Sequence, residues 1–227
     1  MHEVLLRWQQ RLHDPSLVAL LLLQLVVLFA VEPLAALGLP VPRPLVLAFI
    51  LAVTALVVVV SPHRWAIVSV LISLVISAIG LVERIRDPSA VSEWLGGLGG
   101  VLALMAVSWV VASAVFAPGP ITTPRILGAV VLYLNIAMTF TALYRLLEDL
   151  SPGAFLRPTV LAANTSVQLI ANLVYFSLTT LTTTGFGDIV PVHPVARSLA
   201  MLEAVIGQIY PAVVLARIVT LTGQPRE

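Results

Sequence analysis

Cysteine and lysine are both absent from the 227 residues, and charge of either sign is scarce. Without cysteine there is no disulfide framework, no thiolate metal site and no cysteine nucleophile, and the chain gives no sign of its redox compartment. The 12 arginines and 11 acidic residues amount to 10% of the chain, against roughly 25% in an ordinary soluble domain. So few charges cannot solvate a soluble globule of this length. A net charge of +1 also leaves no basic footprint for nucleic acid. What is present instead is 59% hydrophobic residues, which makes this a membrane protein.

A helix needs about 20 mostly apolar residues to cross the hydrocarbon core. Runs that meet or approach this lie at 15–37, 44–60, 64–82, 95–116, 125–147 and 195–221. Breakers separate them: Glu32-Pro33, Pro40-Val41-Pro42-Arg43-Pro44, Ser61-Pro62-His63-Arg64, Asp87-Pro88 and Pro118-Gly119-Pro120. Arg7 and Arg11 before an apolar run resemble a signal peptide, but no good small-residue cleavage site follows, so the first span is expected to be retained. Val4, Leu5, Trp8 and Leu12 share one helical face, which suits a short interfacial helix or a cytoplasmic tail over residues 1–14. With the N-terminus inside, Arg7, Arg11, Arg64, Arg125, Arg217 and Arg226 would be cytoplasmic. Arg43, Arg84, Arg86, Arg145, Arg157 and Arg197 would be outside, so the excess of arginine decides nothing about orientation.

Between the fifth and sixth spans, residues 151–194 are too polar in their centre for a plain span. Residues 166–181 are helix-compatible, and 16 residues give about 24 Å, too short to cross comfortably. A re-entrant half-helix followed by extended backbone fits, and such backbone is tolerated at membrane depth only inside protein or along a water-filled path. Taken singly, the threonines would read as packing glue between helices and Gly185-Phe186-Gly187 as a tight turn.

In this order, and next to Asp188, Thr183-Thr184-Gly185-Phe186-Gly187-Asp188 resembles the selectivity filter of tetrameric potassium channels, whose usual form is Thr-Val-Gly-Tyr-Gly-Asp. The following Glu203-Ala-Val-Ile-Gly207-Gln-Ile-Tyr210 resembles their inner helix, with Gly207 at the hinge position. The resemblance covers roughly residues 125–221 and implies a homotetramer in the lipid bilayer, with the filter near the outside and both termini cytoplasmic. It implies that K+ is the permeant ion, held by carbonyls of Thr183, Thr184, Gly185 and Phe186 with the Thr183 hydroxyl innermost, and that no further cofactor is needed. Rings of carbonyls replace the ion's water shell, and Gly185 and Gly187 supply the unusual dihedrals at little steric cost. The pore helix would turn its partially negative end to the cavity, and Asp188 would concentrate cations at the outer mouth.

The sequence departs from the family pattern in three places. Thr184 replaces valine, and Phe186 replaces a tyrosine that would hydrogen-bond the pore-helix aromatics, here Tyr175 and Phe176. A glutamate that many members pair with the filter aspartate is replaced by Thr179. These changes predict a less rigid filter, so that permeation is the firmer expectation and ion selectivity the one to test. Glu203, an acid inside a span, is a functional candidate, expected either to bond Thr179 or Thr180 or to face the ion path. Gln208, Pro211 and Leu215 share the helix face expected to line the cavity, and Pro211 should kink the helix, as a gate or as structure only.

Six-span members of the family often use their first four spans as a voltage sensor. Moving one charge through 100 mV is worth about 2.3 kcal/mol, so sensing needs several arginines in one span. The fourth span, 95–116, has none. The short stretch after the sixth span is expected to hold no ligand-binding domain. Ser69, Ser73 and Ser77, the Gly96 and Gly100 pair, and Asn135, Thr139 and Thr141 are read as helix-contact positions. Arg84, Arg86, Asp87 and Glu93 read as a solvated loop, Asn164-Thr165-Ser166 as an inert sequon, and His2, His13, His63 and His193 as surface residues without metal-ligand spacing.

The expectation is an all-α integral membrane protein of six spans with a re-entrant pore helix and filter. It divides into an N-terminal segment (1–14), a four-helix peripheral domain (15–117), a pore domain (118–221) and a tail (222–227). The expected function is passive potassium conduction without voltage-moved arginines. The alternatives are a weakly selective cation channel, a transport or accessory subunit, and a polytopic membrane enzyme. No span carries a Gly-x-Ser-x-Gly, a His-Glu pair or paired aspartates for the last.

Overall fold

The computed structural model describes residues 18–31, 33–34, 37, 68–73, 75–76, 79–80, 82, 90–117, 122–158 and 165–222. The expected interfacial segment 1–14, the second span 44–60, Ser77, Asn164, His2, His13, His63, the tail beyond Thr222 and the side chains of Arg84, Arg86, Asp87 and Glu93 lie outside the described residues.

Residues 68–73 are helical, and the longer described helices are α1 (Val18–Val31), α2 (Ala90–Val115), α3 (Thr123–Leu150), α4 (Ser166–Leu181) and α5 (Pro194–Thr222). Two short strands, β1 (Phe155–Leu156) and β2 (Val190–Pro191), pair antiparallel with Phe155 opposite Pro191. Stretches within α2, α3 and α5 are long and apolar enough to cross a membrane: Trp94–Val115, Arg125–Leu150 and Pro194–Thr220. At 1.5 Å per residue, α3 and α5 are each just over about 40 Å long, while α4 reaches about 24 Å. The half-length helix predicted at 166–181 is therefore present with those bounds.

Helices α2 and α3 run antiparallel. A Cβ on Gly97 would touch Leu146 near one end, and Arg125 reaches the Ala117 carbonyl at the other. Their contact, with α1 laid against it, forms a core of Leu20, Leu28, Val107, Val111, Val131 and Leu132. The polar glue expected at Asn135 is there, with a partner the sequence reading missed. Gln24 Nε2 donates to Asn135 Oδ1 at 3.0 Å, and Asn135 Nδ2 donates to Ser108 Oγ at 3.2 Å, so one polar chain links α1, α3 and α2. The Gly96–Gly100 pair behaves differently from expectation. Gly100 has open space beside it, whereas a Cβ on Gly80 would meet Gly96 N at 2.4 Å, so the close approach is between Gly80 and Gly96.

A second core, Phe140, Tyr144, Phe155, Leu173, Phe176 and Ile189, joins α3 and α4 to the linkers. Tyr144, Phe155 and Phe176 meet edge to face with centroids 5.1 to 5.3 Å apart, the preferred aromatic geometry. The strand pair closes this end. Val192 N and His193 N both donate to the Ala154 carbonyl, which fastens the chain leaving residues 183–188 to the linker after α3. The described arginines sort to two ends: Arg125 and Arg217 meet at Ala117, while Arg145 pairs with Asp149, Arg157 with Glu148, and Arg197 with the Pro191 carbonyl.

Candidate functional site

The site begins where α4 ends. Thr165 caps the start of α4 by accepting from Gln168 N at 3.2 Å. At the other end Thr184 N donates to the Thr179 carbonyl at 2.8 Å and Thr183 N to the Thr180 carbonyl at 2.9 Å. This nested pair is a Schellman ending, which places its left-handed residue at position 183. That position usually takes glycine; here it is Thr183 at φ 57°. A branched side chain in the left-handed region costs roughly 1–2 kcal/mol, and such strain concentrates at functional segments.

Beyond Thr183 the backbone alternates. Gly185 (φ 53°) and Gly187 (φ 79°) are also left-handed, and Thr184 and Phe186 between them are not. Alternation of hand turns successive N–H groups to one side and therefore successive carbonyls to the other. The N–H side is occupied: Thr184 N and Gly185 N both donate to the Thr179 carbonyl, the second at 3.1 Å. The carbonyls of Thr183, Thr184, Gly185 and Phe186 accept no hydrogen bond from any described residue. The segment thus offers four oxygens from one exposed edge.

Side chains hold this segment from behind. Gln208 Nε2 donates to Thr183 Oγ1 at 2.9 Å, so the expected cavity-facing glutamine reaches the first residue of the segment. Tyr133 OH donates to the Leu181 carbonyl at 3.1 Å, covering a free acceptor at the end of α4. Asp188, left without the glutamate of the family pattern, has another partner: Tyr175 OH donates to Asp188 Oδ2 at 2.7 Å, and Ile189 N to Oδ1 at 3.0 Å. Tyr175 also lies parallel to the Phe186 ring, centroids 6.2 Å apart. Phe176, grouped with Tyr175 in the sequence reading, points the other way into the Tyr144–Phe155 core, because consecutive helix residues are turned about 100° apart.

Glu203 is fully buried, but Thr179 and Thr180 are not its partners. Tyr144 OH donates to Glu203 Oε2 at 2.6 Å, and Ser177 Oγ lies 2.5 Å from Oε1. The register explains the difference. Gly207 touches α4 at Leu181, where an added Cβ would sit 1.9 Å from the carbonyl oxygen. One turn back on both helices brings Glu203 to Ser177, while Thr179 lies on the opposite face of α4. Gly207 thus serves as a close-approach point. Helix α5 continues unbroken through Pro211, and Gln208, Pro211 and Leu215 are all exposed in the single chain.

A membrane-spanning helical chain with a half-length helix leading into a carbonyl-lined segment is the class that this geometry defines. Residues 128–224 match a family described as "Ion channel". The match covers under half of the chain and makes this stretch similar to ion channels. The chain is similar to Protein LctB of Bacillus caldotenax, 32% identical over 87 residues, and to Protein LctB of Geobacillus stearothermophilus, 31% identical over 87 residues. Both matches cover 38% of this chain and 64% of the relative, so the chain spans under two thirds of the relatives' length. No solved structure matches it.

Proposed function

We propose that four copies of this chain form a potassium-selective channel, with residues 183–187 of each lining one filter. The observation that carries this reading is the alternating backbone at Thr183, Gly185 and Gly187, which leaves the carbonyls of residues 183–186 unpaired along one edge. One chain supplies one such edge, and an ion stripped of water needs a closed ring. The exposed α5 residues Met201, Val205, Ile209 and Val213 recur every four positions, a stripe that neighbouring copies or lipid would cover. Asp188, fixed by Tyr175, supplies negative potential at the outer mouth, and both termini lie in the cytoplasm. Residues 15–117 surround this pore domain as a peripheral unit without a charged sensor, completing six spans. Passive conduction needs no catalytic residue and no cofactor.

A second reading, a weakly selective cation channel, is favoured by one observation. Thr184 Oγ1 is 2.9 Å from Thr182 Oγ1, a bond within the same chain that valine could not make, and Phe186 has no hydroxyl to tie it outward. The test is ion flux from purified protein in liposomes under potassium and then sodium gradients, with barium as blocker. Barium-sensitive potassium flux with little sodium flux is expected. Equal fluxes would replace selectivity by the second reading, and a stable monomer in detergent without flux would end both.

A further inference from the structure

The Tyr144–Glu203–Ser177 contact contains more oxygens than protons if Glu203 is a carboxylate. Ser177 Oγ lies 2.8 Å from the Ala137 carbonyl and 2.5 Å from Glu203 Oε1. A carbonyl and a carboxylate only accept, and a serine hydroxyl has one proton to give. With Glu203 charged, one of these two short oxygen–oxygen contacts would have no hydrogen in it. The Thr141 hydroxyl also donates to the Ala137 carbonyl, at 2.9 Å, so no spare proton comes from that side. Tyr144 OH is committed to Oε2.

We infer that Glu203 is held as an uncharged carboxylic acid whose Oε1 proton is donated to Ser177, and that this hydrogen-bonded relay positions the filter. The chain then runs in one direction without a gap: Glu203 Oε1–H to Ser177 Oγ, and Ser177 Oγ–H to the Ala137 carbonyl. Tyr144 OH donates to Oε2 from the other side. Three helices, α3, α4 and α5, are fastened by side chains that carry no net charge. The surroundings agree: Glu203, Ser177 and Tyr144 are all completely buried, and no described arginine pairs with Glu203. An unpaired carboxylate in such a site would cost far more than a neutral acid. The relay passes through Ser177, one turn before Leu181 and the Schellman ending that sets Thr183, so Glu203 acts on the filter through α4.

The inference rests on the proposed function only for its effect on conduction; the proton itself is read separately. Glutamine reproduces the neutral acid, with its amide N–H donating to Ser177 and its carbonyl accepting from Tyr144. Glu203→Gln is therefore expected to keep tetramer thermal stability and potassium flux within about twofold of the parent. Glu203→Ala, which strands buried hydroxyls, should lower flux about tenfold or more. Infrared spectra of the membrane-reconstituted protein should show a protonated-carboxyl C=O band that disappears in Glu203→Gln. A carboxylate signal in place of that band, or Glu203→Gln as damaging as Glu203→Ala, would overturn the inference. Should the parent conduct nothing and run as a stable monomer, the proposed function fails, and the infrared band still decides the proton.

Discussion

The two long helices on either side of the site, α3 and α5, are matched in length and nearly as apolar as each other, yet one chain covers them very differently. Half of the most apolar stretch of α3 is buried within the chain, against 11% for α5. Composition therefore does not say which helix is covered; tertiary position does. Helix α3 is enclosed by α1, α2 and α4, and its polar side chains are satisfied inside the chain: Asn135 by Gln24 and Ser108, and Tyr144 by Glu203. Helix α5 is held along one narrow strip, through Glu203, Gly207, Tyr210 and Arg217. Tyr210 OH donates to the Ala129 carbonyl at 2.8 Å, and Arg217 donates to the Phe116 and Ala117 carbonyls while lying over the Phe116 ring. A helix tied along one strip and bare elsewhere is built to meet something outside its own chain.

The strongest way to break this arrangement is at the strip itself. Gly207→Ala would gain about 1 kcal/mol of helix propensity. It would also drive a Cβ to within 1.9 Å of the Leu181 carbonyl oxygen, a backbone atom that cannot turn aside. Overpacking of that kind costs about 3 kcal/mol or more when the neighbour is rigid, so the clash outweighs the propensity. The expected outcome is loss of the folded protein, read as yield of folded protein and thermal midpoint in detergent. A variant as stable as the parent would show that α5 does not seat on the end of α4.

A paired substitution sharpens the comparison. Val131 on α3 is completely buried and Val205 on α5 is 53% exposed. Val131→Ala should lower the stability of the chain by on the order of 2 kcal/mol through the cavity it leaves. Val205→Ala should leave the single chain unchanged and, if copies associate through this stripe as proposed, weaken that association, read as a shift of the oligomer–monomer balance with dilution. No change in either stability or association for Val205→Ala would argue that the α5 stripe faces lipid, where shortening a valine changes little.

Much of this was legible in the sequence, for physical reasons that can be named. The length limit on α4 and the order of threonines, glycines and aspartate give the half-length helix and the backbone alternation, because glycine at alternate positions has few other uses. The bounds of α3 and α5 follow from apolar runs between breakers. The partners of polar side chains were not legible. Glu203 meets Ser177 and not Thr179 because of the register between two helices, which no single-sequence pattern contains. Gln24 found Asn135 across 111 positions. Pairing Tyr175 with Asp188 was equally hidden, although the missing glutamate at position 179 was itself the signal that the aspartate needed another donor.

The smallest expected effect concerns the aromatic that departs from the family pattern. The Phe186 ring lies parallel to Tyr175 of its own chain and is 69% exposed, while the Tyr175 hydroxyl is already given to Asp188. Among the described residues, the ring that Phe186 meets is that of Tyr175. Phe186→Tyr adds a hydroxyl donor to this exposed ring. One new hydrogen bond is worth about 1 kcal/mol net, which corresponds to roughly a fivefold change in an equilibrium ratio. If filter rigidity limits selectivity, the potassium-to-sodium permeability ratio from reversal potentials should rise by up to about that factor. An unchanged ratio would mean that the stack on Tyr175 and the Thr179 carbonyl, which accepts from Thr184 and Gly185, already hold the filter as firmly as the hydroxyl would.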